Sequence, residues 1–466
     1  MIGFARVFTV GGITVVKPGY RKVTCSVSRF LWLVLLVFVA YEPCFGMPLE
    51  DPEEKYKAYM PMGEDFPGTV SSDAERVTET FSFQLKSRDL SPLRMELPPR
   101  HQISTGLYRV PGEPITIEQK SLSYDPWGQW PRVRIGAHSV IFTEHDPEQL
   151  KRVGRATDRF QLREGVQQDR DRASGLIYIE SDENGSDSFD ITISGAVRAP
   201  WFKLGRDTPE QWRNDIRHYP APWAELEGKY SVLALPSAMV RDLEDPTPII
   251  NFYDQVIQRA HALTGLSDND EDERDRAPDN LYRFTIDVQQ WRHSLATASV
   301  DGFTLYWLAF NNPFRWLDSN DPMVFDVLFH EVGHSLEPVH FLFEPPGATE
   351  AFADLIVYGN QYRRGYWFLG DRIESAGFIF LSDAAHNGAM PSLMWLLASF
   401  VEYFHHGYDP RIWAENSKVM ESWKGAFMIQ LVNQISDDFI QKLYRTFRHT
   451  PEHLLPAKDN QQEKTD

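Results

Sequence analysis

Between residues 81 and 197 apolar side chains recur at alternate positions in short runs, and beyond residue 207 they recur mainly at helical spacing. The alternating runs include Phe81-Ser82-Phe83, Ile115-Thr116-Ile117, Val133-Arg134-Ile135, Ile177-Tyr178-Ile179 and Ile191-Thr192-Ile193, separated by turn-forming residues. They predict an all-β sandwich of roughly 110 to 120 residues. The turn Glu183-Asn184-Gly185-Ser186 would join the last two runs as a hairpin. Beyond Pro200 the spacing predicts a helix over 207–218, a short strand over 230–235, a long helix from Thr247 to Leu263 and β-like runs over 282–288 and 303–310. Further helices are predicted from Pro322 to Leu336 and over 392–405, 419–435 and 437–448. The apolar stripe Met394, Leu397, Phe400, Val401 and Phe404 reads as core.

The helix from Pro322 to Leu336 carries the chemistry. Asp321 is a good N-cap, Pro322 suits the first helical position, and Met323, Val324, Val327, Leu328 and Val332 give the spacing of a buried helix. His330 and His334 lie four residues apart, so both imidazoles leave one face and can converge on one ion. With Glu331 between them they form His-Glu-x-x-His, in which two neutral imidazoles bind zinc and the glutamate takes a proton from the attacking water. A third ligand is still required. After the break at Pro338 and the turn at Pro345-Pro346-Gly347, a second helix is signalled by Thr349 as cap and Gly359 as stop. Glu350 opens that helix and is the ligand of choice, while Asp354, one turn later, could hold the other nitrogen of a liganding histidine. Two histidines and a glutamate leave a fourth position for water, the catalytic gluzincin arrangement. His340 lies beyond the proline break and off the helical register.

The N-terminus changes the picture of compartment. Residues 1–46 hold a basic lead and then the apolar run Phe30 to Tyr41, which reads as a secretory signal. About 12 apolar residues span a bilayer poorly, which favours cleavage near Gly46; an anchor over residues 30–41 is the alternative. Cys25 and Cys44 both lie in this segment, so the mature chain would carry no disulfide. Five Lys/Arg and one Asp/Glu leave with it, which moves the net charge from −19 to −23. So acidic a product argues against nucleic acid or an anionic membrane as main partner. Residues 47–75 read as an acidic linker, 76–200 as the sandwich, 201–455 as the zinc-binding domain and 456–466 as a disordered tail. Asn184 heads an N-glycosylation sequon. The stretch 267–280 is densely acidic but lacks the central glycine and terminal glutamate of a calcium loop, and it reads as a solvated surface loop.

Several blocks together resemble the enhancin-like, mucin-targeting metallopeptidases. They are Thr105-Gly106-Leu107-Tyr108 with Pro111-Gly112, Val133-Arg134-Ile135-Gly136, Gly195-Ala196-Val197 with Ala199-Pro200-Trp201-Phe202, Tyr219-Pro220-Ala221-Pro222-Trp223 with Glu225, and the histidine motif followed by Thr349-Glu350. The resemblance covers roughly residues 81–448. It implies an α+β protein, with an N-terminal β-sandwich followed by a mostly helical gluzincin-type metallopeptidase subdomain. It also implies one Zn²⁺ on His330, His334 and Glu350, Glu331 as catalytic residue, and glycoproteins, often mucin-like, as substrates. The chain departs from the family at Ser335-Leu336-Glu337-Pro338, where relatives usually carry a polar Asn-His-Gln-like run, and at Asp354, where many carry asparagine.

The expected activity is therefore a secreted zinc endopeptidase acting on O-glycosylated glycoproteins or peptides, without nucleic-acid or stable membrane partners unless the N-terminal segment stays uncleaved. An oxyanion donor is not singled out; Tyr358, Tyr366 and His386 come after the ligands in sequence, and a structural role competes for each. The run 303–310 is the candidate cleft-edge strand. The competing class is a non-catalytic protein that keeps the fold and binds glycans or a membrane partner, with Trp127, Trp130, Trp201 and Trp223 as stacking candidates. The glutamate between the histidines favours the enzyme.

Overall fold

The computed structural model describes residues 8–10, 13–15, 51–84, 88–119, 131–142, 150–169, 173–181, 188–290 and 294–337, together with positions 441, 444, 445, 448 and 449. Contacts divide the chain into Met1–Asp51 and Pro52–Asp466. In the first unit β1 (Phe8–Val10) pairs antiparallel with β2 (Ile13–Val15). The apolar run over 30–41 lies outside the described residues, as does Asn184.

The second unit is strand-rich. Its first sheet holds β3 (Val77–Gln84), β4 (Gln102–Arg109), β5 (Ile115–Gln119), β6 (Arg132–Ile135), β7 (Asp158–Gln161), β8 (Gly165–Asp169), β9 (Gly175–Glu180) and β10 (Ser188–Arg198). The order is β7-β6-β9-β4-β10-β5-β8, with β3 also on β10. β10 is the strand that curls this sheet. Its first residues pair with β3 and β5, whereas Val197 and Arg198 pair with β4. The register shifts between Ser194 and Ala196, and Gly195 sits there at φ +90°. A β-carbon at Gly195 would stand 2.8 Å from the Pro114 carbonyl oxygen, so only glycine makes this bulge without a shift. Val77, Ile117, Val133, Ile179, Ile191 and Ile193 from both halves meet in one buried cluster. Burial of each such aliphatic side chain contributes about 1.5–3 kcal/mol.

β9 and β10 do not form the predicted hairpin, because β4 lies between them. Every residue of β9 is buried, and β9 makes ladders with both β4 and β6. The local Asn-Gly turn signal loses to the demand of a buried strand for two partners.

The second sheet holds β11 (Trp201–Lys203), β12 (Trp223–Glu227), β13 (Ser231–Pro236), β14 (Tyr282–Asp287), β15 (Ala296–Ser299) and β16 (Gly302–Tyr306), in the order β11-β12-β13-β14-β16-β15. Among the described residues the α-helices include α1 (Pro52–Tyr56), α2 (Pro209–Asn214), α3 (Thr247–Leu263) and α4 (Pro322–Leu336). Strand thus contributes more to residues 201–337 than the helical periodicity suggests. β12, β13 and β14 are buried along their whole length, and α3 packs on β13 and buries Ile250, Tyr253, Val256 and Ile257.

The acidic stretch expected to be a linker is partly built into the core. Met60 and Phe66 are buried, the Trp223 indole donates to the Pro67 carbonyl at 2.6 Å, and the Tyr108 hydroxyl donates to the Gly68 carbonyl at 2.6 Å. The loop 267–280 also differs from a purely solvated one. Asp275 is buried and accepts from Arg445 Nε at 2.9 Å and Arg448 Nη2 at 2.7 Å, with His449 Nε2 2.9 Å away. A carboxylate of this loop therefore holds cations from the end of the chain.

Two polar knots join the sheets. Arg283 on β14 donates to Glu225 at 3.1 Å and to the Gln102 carbonyl of β4 at 2.6 Å. Arg152 donates from Nε and Nη2 to the two oxygens of Asp287, at 2.8 and 2.7 Å. His138 packs edge-on between Trp223 and Phe66, with Nε2 3.2 Å from the Ile286 carbonyl oxygen.

Burial pushes the imidazoles of His138 and His261 down to about 4. Exposed histidine titrates near 6.5, so below about pH 6.5 the unfolded chain binds more protons than the folded one. Stability should fall as pH drops from 6.5 towards 4, by about 1–2 kcal/mol per histidine between pH 7 and 5. Urea denaturation at both pH values measures this, and equal midpoints would exclude it.

Candidate metal centre

The helix α4 covers the residues its sequence pattern predicts. Asp321 accepts from the amides of Met323 at 2.9 Å and Val324 at 3.3 Å, and Arg315 Nη2 donates to its carboxylate at 2.8 Å. The cap satisfies two of the four orphan amides of the first turn, and Pro322 has none to satisfy. Val324, Phe325, Leu328, Phe329, Val332 and Leu336 are buried. Phe325 meets Phe252 of α3, with ring centroids 5.5 Å apart, and the helix also packs against β15. With that face committed to the core, His330 and His334 are left partly exposed.

The two imidazoles stand perpendicular, with ring centroids 4.7 Å apart and Nε2 atoms 3.1 Å apart. Nitrogens bound to one tetrahedral zinc at 2.0–2.1 Å lie about 3.3 Å from each other, so the pair fits two positions of such a site. Glu331, in the same turn, is buried. His334 Nδ1 lies 2.9 Å from Glu337 Oε1. The spacing of the motif does not single out Glu337. It comes one residue beyond the helix, and its contact depends on how the chain leaves α4.

Glu350, Asp354, Tyr358, Tyr366 and His386 lie outside the described residues, as do His340, Trp127 and Trp130. Among the described residues no third acidic, histidine or cysteine side chain completes a metal-binding group with the histidine pair. The candidate edge strand moves. β16 is flanked by β14 and β15, so both its ladders are used, and among the described residues β15 ends the sheet. The sequence Ala296-Thr297-Ala298-Ser299 lacks the large branched side chains that mark a strand, which is why the pattern passes over it. Trp223 is a core residue, and the face of Trp201 is covered by the Arg206 guanidinium 4.0 Å from its ring centroid.

The family model for peptidase M60, enhancin and enhancin-like proteins matches residues 195–351, and that for the N-terminal domain of M60-like peptidases matches 91–194. The chain belongs to the enhancin-like M60 peptidase family. Curated relatives of this M60 chain include TRPM8 channel-associated factor 3 of Rattus norvegicus, 40% identical over 90 residues, which is 19% of this chain and 10% of that protein. TRPM8 channel-associated factor 2 of Homo sapiens is 27% identical over 259 residues, covering 54% of this chain and 26% of that protein. The chain therefore spans only a tenth to about a quarter of the length of these relatives. A conserved protein of unknown function from Bacillus anthracis shares the fold, with a TM-score of 0.53 at 17% identity over 82% of this chain and 70% of that one. Among the described residues no helix is long and apolar enough to cross a membrane.

Proposed function

We propose that this M60 chain is a zinc-dependent endopeptidase whose metal is held by His330, His334 and Glu350 and whose general base is Glu331. The observation that carries the reading is the pair of Nε2 atoms 3.1 Å apart, on a capped helix whose other face is buried, with Glu331 between the two histidines. Zinc bound there would polarise the scissile carbonyl and acidify the attacking water. Glu331 takes the proton of that water and returns it to the leaving amine. An extended substrate pairs with β15, which packs beside α4. The substrate class, O-glycosylated glycoproteins, rests on the family resemblance.

The second reading is a non-catalytic binding protein. It is favoured by the relatives named for association with the TRPM8 channel.

Metal analysis of the purified protein is expected to find one zinc, and the His330→Ala, His334→Ala double variant is expected to lose it. Zinc content near zero, or full retention by the double variant, overturns the assignment. A serine- and threonine-rich glycoprotein, offered with and without its O-glycans, tests the substrate class. Cleavage of the glycosylated form alone supports glycan recognition, and equal cleavage of both reduces the activity to general peptidase. Binding without cleavage of either replaces the enzyme by the binding protein.

A further inference from the structure

The helix α4 stops at Leu336, and Glu337 leaves it in a non-helical conformation, φ −54° and ψ 139°. The segment after His334 is tied to a distant part of the chain. The Ser335 hydroxyl donates to the Leu97 carbonyl at 2.6 Å, the Leu97 amide donates to the Ser335 carbonyl at 3.4 Å, and the Glu96 amide donates to the Glu337 carbonyl at 2.7 Å. Ser335 and Glu337 are themselves buried. The backbone of Glu337 is thus located by residues 96–97 and not by the helix alone, and its carboxylate lies 2.9 Å from His334 Nδ1.

We infer that Glu337 is a positioning residue that holds His334 in the tautomer and ring orientation a metal requires. An ionised carboxylate only accepts hydrogen bonds, so beside an ionised Glu337 a neutral His334 carries its proton on Nδ1 and keeps the lone pair on Nε2. Nε2 is the nitrogen that faces His330. A carboxylate behind a liganding imidazole also raises its basicity, and loss of such a partner typically costs 10- to 100-fold in metal affinity. The turn that ends α4 therefore supplies a support for the second histidine, anchored through Ser335 and the segment 96–97. The inference rests on the reading of His330 and His334 as metal ligands.

The experiment titrates zinc into the metal-free full chain against a chelator of known affinity. Glu337→Ala should bind zinc about 10- to 100-fold more weakly than the wild type. Glu337→Gln should recover most of that loss, because its amide oxygen accepts the same Nδ1 proton, and a purely structural cap would not predict that rescue. Metal-free Glu337→Ala should keep the circular dichroism of the wild type. Nitrogen-15 spectra of histidine-labelled, metal-free protein should show the His334 proton on Nδ1 in the wild type and in Glu337→Gln, and a tautomer mixture in Glu337→Ala. Glu337→Ala affinity within two- to threefold of the wild type, while His334→Ala loses zinc, would overturn the inference and leave the metal site standing. Zinc retained by His334→Ala would overturn the metal assignment and the inference together. Should Glu337→Ala fail to fold, the wild-type spectrum still decides, since a proton on Nε2 of His334 rules the role out.

Discussion

Glu331→Gln should lower peptide-bond cleavage by about 100- to 10,000-fold while zinc content and thermal midpoint stay at wild-type values. Glutamine has nearly the shape of glutamate and can fill the same buried position in α4, so the packing of the helix is preserved. What it cannot do is accept a proton from the attacking water near neutral pH. Neither histidine is touched, and the 3.1 Å approach of their Nε2 atoms is expected to persist. Single-turnover cleavage and metal analysis on the same preparation separate the two effects. Undiminished cleavage in a zinc-loaded variant would remove Glu331 from the mechanism, and zinc lost with activity would make it a ligand or a structural residue.

The largest stability effect should come from Arg152→Ala, at about 3–5 kcal/mol. Arg152 and Asp287 are both fully buried, and the guanidinium makes two parallel bonds to the carboxylate. Burial alone would raise the Asp287 carboxyl, but Arg152, His138 and the Gln289 amide together offset it and hold the group below its usual range. Alanine would leave that charge in the core with the Gln289 amide, 3.0 Å from Oδ1, as a remaining donor. It would also strip the guanidinium from the Val140 and Val153 carbonyls. The Arg152→Ala, Asp287→Asn double variant should lose less than the sum of the two single changes, because the second change removes the stranded charge. Urea denaturation measures all three. Additive losses would show that the pair is not coupled.

The parts legible from sequence are those whose signals are local and agree with one another. Asp321, Pro322 and the apolar spacing after them specify α4 between the same residues that the structure gives it. The same holds for α3, where Pro248 and a long amphipathic pattern mark Thr247 to Leu263. The misreadings lie where a distant partner decides. Asp275 looks like one more charge in an acidic loop until Arg445, Arg448 and His449 are brought to it. Likewise, Asn184-Gly185 favours a turn, yet β4 takes the place between β9 and β10. Met60 and Phe66 sit in a stretch too acidic and proline-rich to announce a core contribution, and only the approach of Trp223 to Pro67 makes them one. Glu337 is a similar case within the site, since its place depends on its own hydrogen bond to Glu96 and those of Ser335 to Leu97, more than 200 residues away.

The course of β10 bears on how the protein can be divided. The two family matches meet between residues 194 and 195, which is the bulge in the middle of this strand. A gene cut at that junction would give one piece ending in a half-strand against β3 and β5, and another beginning with the three or four residues that continue to β4. Each fragment would carry bare ladder donors and acceptors where the other had been, the kind of exposed edge that templates aggregation. A cut after Arg198 spares the strand but still severs the Ala199 amide from the Gly106 carbonyl and the Ala221 amide from the Arg198 carbonyl. Swapping the amino-terminal module between relatives therefore calls for a crossover outside 188–227, with β10 and β12 inherited from one parent.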